Sequence, residues 1–463
     1  MSTLHVFLDQ QLAGRLEYVP AENRFSFTYT PQWLSQKRPY AISPQLPLRP
    51  LVKQTPDVHS LAVRFFFENL LPEGRALDEA AAVNSLSKSN LVGLMIALGS
   101  ETAGAIALKL VQYSADADAL SPAVGEEKLR PLSRQEMSAK IRARPFEAFS
   151  VWDRKVRLSI AGFQDKVAVY QENSTWFLVD SGQRASTVII KPEPLDKNLA
   201  GLSSNEFFCM RLAREIGLPV AEVRLVHVPE PVLEIVRFDR VIEGPLVRRR
   251  HMIDGCQLLG IPSSLKYERP YGDAIDVKNI RDGASLPRIF AALKQCPSPA
   301  AERLHLIRWT IFQILIGNTD AHAKNLSFFF DERGMRLTPA YDLVSILSLA
   351  HANLSNSFAM AIGDAFSEAE LTPFEWACFA QSCGLRHTGL ATELARMSSK
   401  ILVALAPISQ QVIGEGAQSD VVQQVAATIT RLAKKNQTMA ALIPGIDPEL
   451  LPIPVTIPPS SNF

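Results

Sequence analysis

The chain has 463 residues, is 47% hydrophobic, and sets 48 Lys plus Arg against 47 Asp plus Glu, a formal charge of +1. That length suffices for a large buried core and suggests two to three domains or one large enzyme with subdomains. The even balance of charge excludes an electrostatic footprint for direct binding to nucleic acid or an acidic membrane, so any association with DNA is expected to run through a partner.

Cys209, Cys256, Cys296, Cys378 and Cys383 are odd in number, lack CxxC spacing and lie mostly in apolar helical contexts. They read as buried thiols of a reducing cytosol, neither a disulfide framework nor a zinc site. Met1 to Gly14 carries Asp9 and alternates like a strand, unlike a secretory signal. The longest apolar runs, such as Leu91 to Leu98, fall short of a membrane span. A cytoplasmic protein with no membrane partner is the expectation.

In chain order, His5 to Leu8, Gly14 to Val19 and Arg24 to Thr30 read as a small meander of three strands. Val58 to Val83 has helical spacing broken at Pro72-Glu73-Gly74, Ser87 to Leu98 reads as another helix, and Ala103 to Leu110 as a strand. Ser114 to Arg144 turns polar and acidic, so the first domain is taken as 1–113 and 114–150 as a linker with a short helix.

Val156 to Tyr170 reads strand, turn, strand, with Ser159, Ala161 and Gly162 small enough for backbone N–H groups to approach a phosphate, although an ordinary hairpin also fits. The apolar strand Thr187 to Ile190 then ends in Lys191, where an apolar strand end has no structural need for a cation. Ser203 to Gly217 is a helix capped by Asn205 or a neighbouring serine, and its Glu206 is within reach of Lys191. Val223 to Val228 and Val232 to Phe238 read as a strand pair leading to a hinge, so 151–240 forms a second unit. Helical patterns dominate from Leu286 to Leu315 and from Glu368 to Leu442, with breaks at Gly384, Pro407 and Gly414, so 241–443 is taken as a helical unit; the six-proline tail 444–463 reads as extended and mobile.

One stretch concentrates chemistry. After the apolar helix Leu306 to Leu315 comes a polar loop with Asp320 and, five positions on, Asn325; Asp342 follows a short hairpin. An Asp-x-x-x-x-Asn pair lets a carboxylate take a hydroxyl proton while an amide oxygen holds magnesium, and a later acid chelates the metal between phosphates. That pair alone arises about once by chance in a chain of this length. Its place between helix and strand, with His322 and Lys324 in the same loop, distinguishes it from a solvated turn.

Together these segments resemble the HipA family of bacterial serine/threonine kinases, the toxin halves of HipBA toxin–antitoxin pairs. The resemblance rests on FFFENLLPEG (65–74), SIAGFQDK (159–166), IIKP, NEFFCMRLA, RFDR, GNTDAHAKN, AYDL and FAMAIGD (358–364), in family order. It implies an α+β, two-lobed protein-kinase-like fold with a mixed α/β N-lobe and a mostly helical C-lobe. It also implies ATP and Mg2+ as cofactors, with Asp320 as catalytic base and Asn325 and Asp342 as metal ligands. Lys191, supported by Glu206, would grip the nucleotide phosphates beneath a loop of Ile160, Ala161, Gly162, Phe163, Gln164 and Asp165. Val236, Arg237 and Phe238 would form the adenine hinge, and Gln257, His322 and Lys324 would contact the nucleotide. Ser159 would be the autophosphorylation site, an aminoacyl-tRNA synthetase the class of protein substrate, and a HipB-like helix-turn-helix antitoxin the partner. Two other readings stay open: a kinase of a small molecule or lipid headgroup, and a non-catalytic co-repressor.

Overall fold

The computed structural model describes residues 2–49, 55–111, 128–157, 164–181, 184–349 and 355–452. β1 (Ser2–Leu8), β2 (Gln11–Val19) and β3 (Arg24–Tyr29) form the meander, and β4 (Ile106–Leu110) returns to pair with β1, giving the order β3-β2-β1-β4. Helices α1 (Pro56–Glu68), α2 (Gly74–Val83) and α3 (Leu91–Leu98) lie between β3 and β4 in sequence. Phe66 and Phe67 on α1 are buried and belong to one apolar core with Leu4 and Val6 of the sheet and with Ile253 and Phe328 of the C-terminal half. The N-terminal region is thus fused to the rest through a shared interior.

The stretch taken as a linker with a short helix contains that helix and a strand as well. β5 (Lys128–Leu132) and α4 (Arg134–Ala143) belong to the second unit. β5 is the edge strand of a six-stranded sheet ordered β9-β10-β8-β6-β7-β5, completed by β6 (Val167–Glu172), β7 (Thr175–Ser181), β8 (Val188–Pro192), β9 (Val223–His227) and β10 (Pro231–Val236). The cause is apolar: Leu132, Met137, Ile141, Phe149 and Trp152 cover Val167, Val169, Val188 and Ile190 in a separate small core. Few and widely spaced in a polar segment, these anchors give a weak periodic signal.

α5 (Leu202–Glu215) packs behind this sheet. Its N-cap is Gly201, at φ +84°, and the side chain that satisfies its first N–H groups is the Glu193 carboxylate, which accepts from Gly201, Leu202 (3.0 Å) and Ser203 (3.2 Å). Asn205, expected as a cap, is buried and instead donates to the Ser345 carbonyl at 3.0 Å.

The C-terminal half places β11 (Met252–Asp254), α6 (Gly255–Leu259) and α7 (Pro299–Ile316) beside the hairpin β12 (Ser327–Asp331) and β13 (Gly334–Leu337), with β11 paired to β12. Behind them lie α8 (Pro373–Ser382) and two long helices, α9 (His387–Gly414) and α10 (Ser419–Leu442), which pack on each other and on α5 and α7. Pro407, expected as a break, sits inside α9. Its ring is exposed, and the carbonyl it deprives of a donor belongs to Val403, a residue that is 79% exposed. Of the tail, residues 444–452 form two short turns of 3-10 helix, and 453–463 lie outside the described residues. Among the described residues, no helix is long and apolar enough to cross a membrane.

Candidate active site

α7 stops at Gly317, whose φ of +68° turns the chain left-handed and releases the polar loop from 318 onward. Asn325 Nδ2 donates to the Asp320 carbonyl at 2.9 Å, closing the loop on itself. Asp320 stands exposed at its rim, and its Oδ1 accepts from the Tyr267 hydroxyl at 2.7 Å. Surrounding protein raises the Asp320 pKa, an effect the Tyr267 hydrogen bond opposes.

After β13 the chain is fixed at Ala340, which bridges Val220, and Asp342 then takes a left-handed φ of +58°. A non-glycine residue in that region is uncommon, and aspartate tolerates it better than most. Its Oδ1 lies 2.6 Å from Lys191 Nζ, which also contacts both Glu206 carboxylate oxygens at 2.8 and 3.0 Å. Lys191 and Glu206 are buried, so each needs the other. Burial works against the charge on Lys191, but Asp342 and Glu206 hold it well above the ordinary lysine value. Burial equally opposes the charge on Asp342, yet Lys191 and Lys166 keep its carboxyl at about 2. Burial pushes Glu206 upward, and Lys191 counters it.

These groups face a cavity, open at its mouth, between the six-stranded sheet and the C-terminal half. Lys191, Val236, Arg237, Phe238, Gln257, His322, Lys324, Asn325 and Asp342 all line it, so most of the residues expected at a nucleotide site converge. Glu206 acts from behind, through Lys191. His322, buried beside Lys266, is held neutral with a pKa of about 3.

Several expected contacts differ. Ser159, Ile160, Ala161, Gly162 and Phe163 lie outside the described residues. Gln164 and Asp165 do not line the cavity: Gln164 donates to the Pro192 carbonyl at 3.3 Å, and Asp165 pairs with the buried Arg144 at 3.5 Å, a cation that needs a counter-charge. Arg237 lines the cavity, but its guanidinium turns into a buried network with Asp239 Oδ2 at 2.7 Å, Ser186 Oγ at 2.8 Å and the Thr102 carbonyl at 3.2 Å. The N–H groups of Val236 and Arg237 are engaged by the carbonyls of Glu222 and Thr187. Gln257 completes a capping box with Asp254 and donates to the Phe66 carbonyl at 3.0 Å, so its amide is held in the wall. Lys324 is likewise committed, 2.7 Å from Asp254 and 3.0 Å from Asn69 Oδ1.

Other residues join the site without having been singled out. Lys166 lines the cavity close to Lys191, and burial together with that neighbour lowers it to about 8. Its signal was available as the lysine closing SIAGFQDK. Tyr267 carries no sequence signal. Asn69 and Glu73 bring the N-terminal region into the cavity wall, and Glu73 pairs with Lys266 at 2.6 Å.

A divalent cation fits the donors present. With Nδ2 of Asn325 bound to Asp320, its Oδ1 meets no protein donor among the described residues, and only Oδ1 of Asp342 is tied to Lys191. One amide oxygen and one carboxylate, completed by phosphate and water oxygens, suit Mg2+.

Comparison with known proteins agrees with this geometry. Residues 4–109 match the HipA N-terminal domain and residues 158–405 the HipA-like C-terminal domain. The serine/threonine-protein kinase toxin HipA of Shewanella oneidensis is 36% identical over 409 residues, 88% of this chain and 89% of that protein. A relative from Sinorhizobium fredii is 31% identical over 408 residues, 86% of this chain and 91% of its own length. The solved Shewanella oneidensis HipA, in complex with HipB and operator DNA, superposes with a TM-score of 0.83 at 32% identity, covering 96% of this chain and 100% of that one. The chain belongs to the HipA family, and it is a kinase.

Proposed function

We propose that the protein transfers the γ-phosphoryl group of ATP to a serine or threonine hydroxyl of a protein, and acts as the toxin of a toxin–antitoxin pair. The observation that carries this reading is the ion cluster of Lys191, Glu206 and Asp342 on a cavity that Asn325 also lines, with Asp320 hydrogen-bonded to Asn325 in the same loop. Lys191 and Lys166 present positive charge to the phosphates. Asn325 and Asp342 are the groups to hold magnesium, which when bound neutralises charge on the phosphates. Asp320 accepts the acceptor hydroxyl's proton as its oxygen bonds to phosphorus and ADP departs. Catalysis comes mainly from positioning and electrostatics, because the reaction asks little covalent chemistry of the protein.

The antitoxin partner is a HipB-like helix-turn-helix protein; the Shewanella relative, solved with HipB and operator DNA, supports this. A chain of net charge +1 suits contact with DNA mainly through such a partner. We further infer a cytoplasmic setting, an acceptor in the translation machinery such as an aminoacyl-tRNA synthetase, and self-phosphorylation at Ser159, where a phosphate of nearly two negative charges would repel ATP.

The test is incubation with γ-labelled ATP, magnesium and cell lysate. Label on a discrete protein band supports the reading, whereas label confined to small molecules or lipid overturns it. Intact mass after ATP incubation should rise by one phosphate in the wild type and not in Ser159→Ala.

A further inference from the structure

Asn318 lies between the last turn of α7 and the catalytic loop, is 3% exposed, and uses its whole amide. Its Oδ1 accepts from the Asp320 N–H at 3.1 Å. Of its donors, Nδ2 reaches Gln313 Oε1 at 2.9 Å and the Asp342 carbonyl at 3.4 Å. The Asn318 N–H itself bonds to the Gln313 carbonyl at 2.9 Å. The contacts with Gln313 are what a helix C-terminus needs. Those with Asp320 and Asp342 are not, because they join a loop before β12 to one after β13, 24 residues apart.

We propose that Asn318 is a positioning residue that fixes the proton-accepting carboxylate of Asp320 relative to the metal- and phosphate-facing carboxylate of Asp342. The proposal deepens the kinase reading and rests on it. Asp342 is held at both ends: Lys191 takes its side chain and Asn318 its carbonyl, which keeps the left-handed backbone in place. Asp320 is held the same way, by Tyr267 on its side chain and by Asn318 and Asn325 on its N–H and carbonyl. Asn318 alone among these touches both acids, and it reaches them through backbone atoms, so it occupies no carboxylate oxygen of either. Only an amide serves here, since the position needs an acceptor facing Asp320 and donors facing Asp342 and Gln313. An aspartate keeps the acceptor but sets oxygen against the Asp342 carbonyl.

The test compares Asn318→Asp, Asn318→Ala and Gln313→Ala in the full chain. Both Asn318 variants should lose about ten- to a hundredfold in kcat through misplacement of the reacting groups. KM for ATP should stay within about threefold, because Lys191 still grips the nucleotide. Gln313→Ala removes only the helix-end partner and should keep kcat within about threefold. An Asn318→Asp enzyme with near wild-type kcat, or a Gln313→Ala enzyme as slow as Asn318→Ala, overturns the proposal. Asp320→Ala is run alongside: if it still transfers phosphate, the kinase reading fails instead. A readout independent of turnover is hydrogen exchange of the Asp320 amide, which should quicken about tenfold or more in Asn318→Ala. Unchanged exchange there overturns the proposal whatever the activities.

Discussion

Lys191 Nζ lies 2.6 Å from Asp342 Oδ1, although 151 residues separate them. The same nitrogen contacts Glu206, so one cation joins the sheet, helix α5 and the segment after β13 at the floor of the cavity.

Removing that cation leaves two acids unpaired. Lys191→Met should abolish phosphate transfer and lower unfolding stability by about 3–5 kcal/mol, the range for breaking a buried ion pair on one side. Denaturant titration reads the stability and labelled ATP the activity. A variant as stable as wild type would mean that the pair contributes little.

Tyr267 tunes the base. Its hydroxyl stabilises the charged form of Asp320, while desolvation by the surrounding protein raises the pKa. Tyr267→Phe should raise that pKa further, so the acid limb of the kcat/KM profile should move to higher pH. A limb that stays in place or moves to lower pH would show that the hydroxyl does not act on the base.

Lys166 should report nucleotide binding as proton uptake. Burial and the neighbouring Lys191 lower its pKa from 10.5 to about 8, so above that pH it is largely neutral. Phosphates entering the cavity favour its charged form, so ATP binding at a pH of about 8.5 should take up protons. Calorimetry in two buffers of different ionisation enthalpy measures this, and Lys166→Met should remove it. The unfolded chain holds this proton more tightly, so Lys166 also makes stability rise with pH between about 8 and 10.5.

The sequence made legible those parts whose cause is local. A lysine ending an apolar strand, an acid early in the next helix and the Asp320–Asn325 spacing each carry their own reason; Lys191 meets Glu206, and Asn325 lines the same cavity as Lys191. What stayed hidden depends on partners distant in the chain. Glu193 caps α5 from a preceding turn, and Arg237 turns to Asp239, Ser186 and Thr102 while its backbone alone stays at the hinge. Gln257 and Lys324 look like nucleotide ligands beside a catalytic loop, but Phe66 and Asn69, about 190 and 255 residues away, already engage them. The short helix expected in 114–150 is α4, but β5 beside it was hidden by polarity, since a strand at a sheet edge needs only a few apolar anchors.

The central claim is that Asp320 and Asp342 serve one phosphoryl transfer from the same cleft. Its most direct measurement is magnesium-dependent transfer of label from ATP by wild type, Asp320→Ala and Asp342→Ala, each checked by circular dichroism for folding. Transfer by wild type alone, with both variants folded and silent, is the predicted result. Folded variants that transfer phosphate at wild-type rates would contradict it.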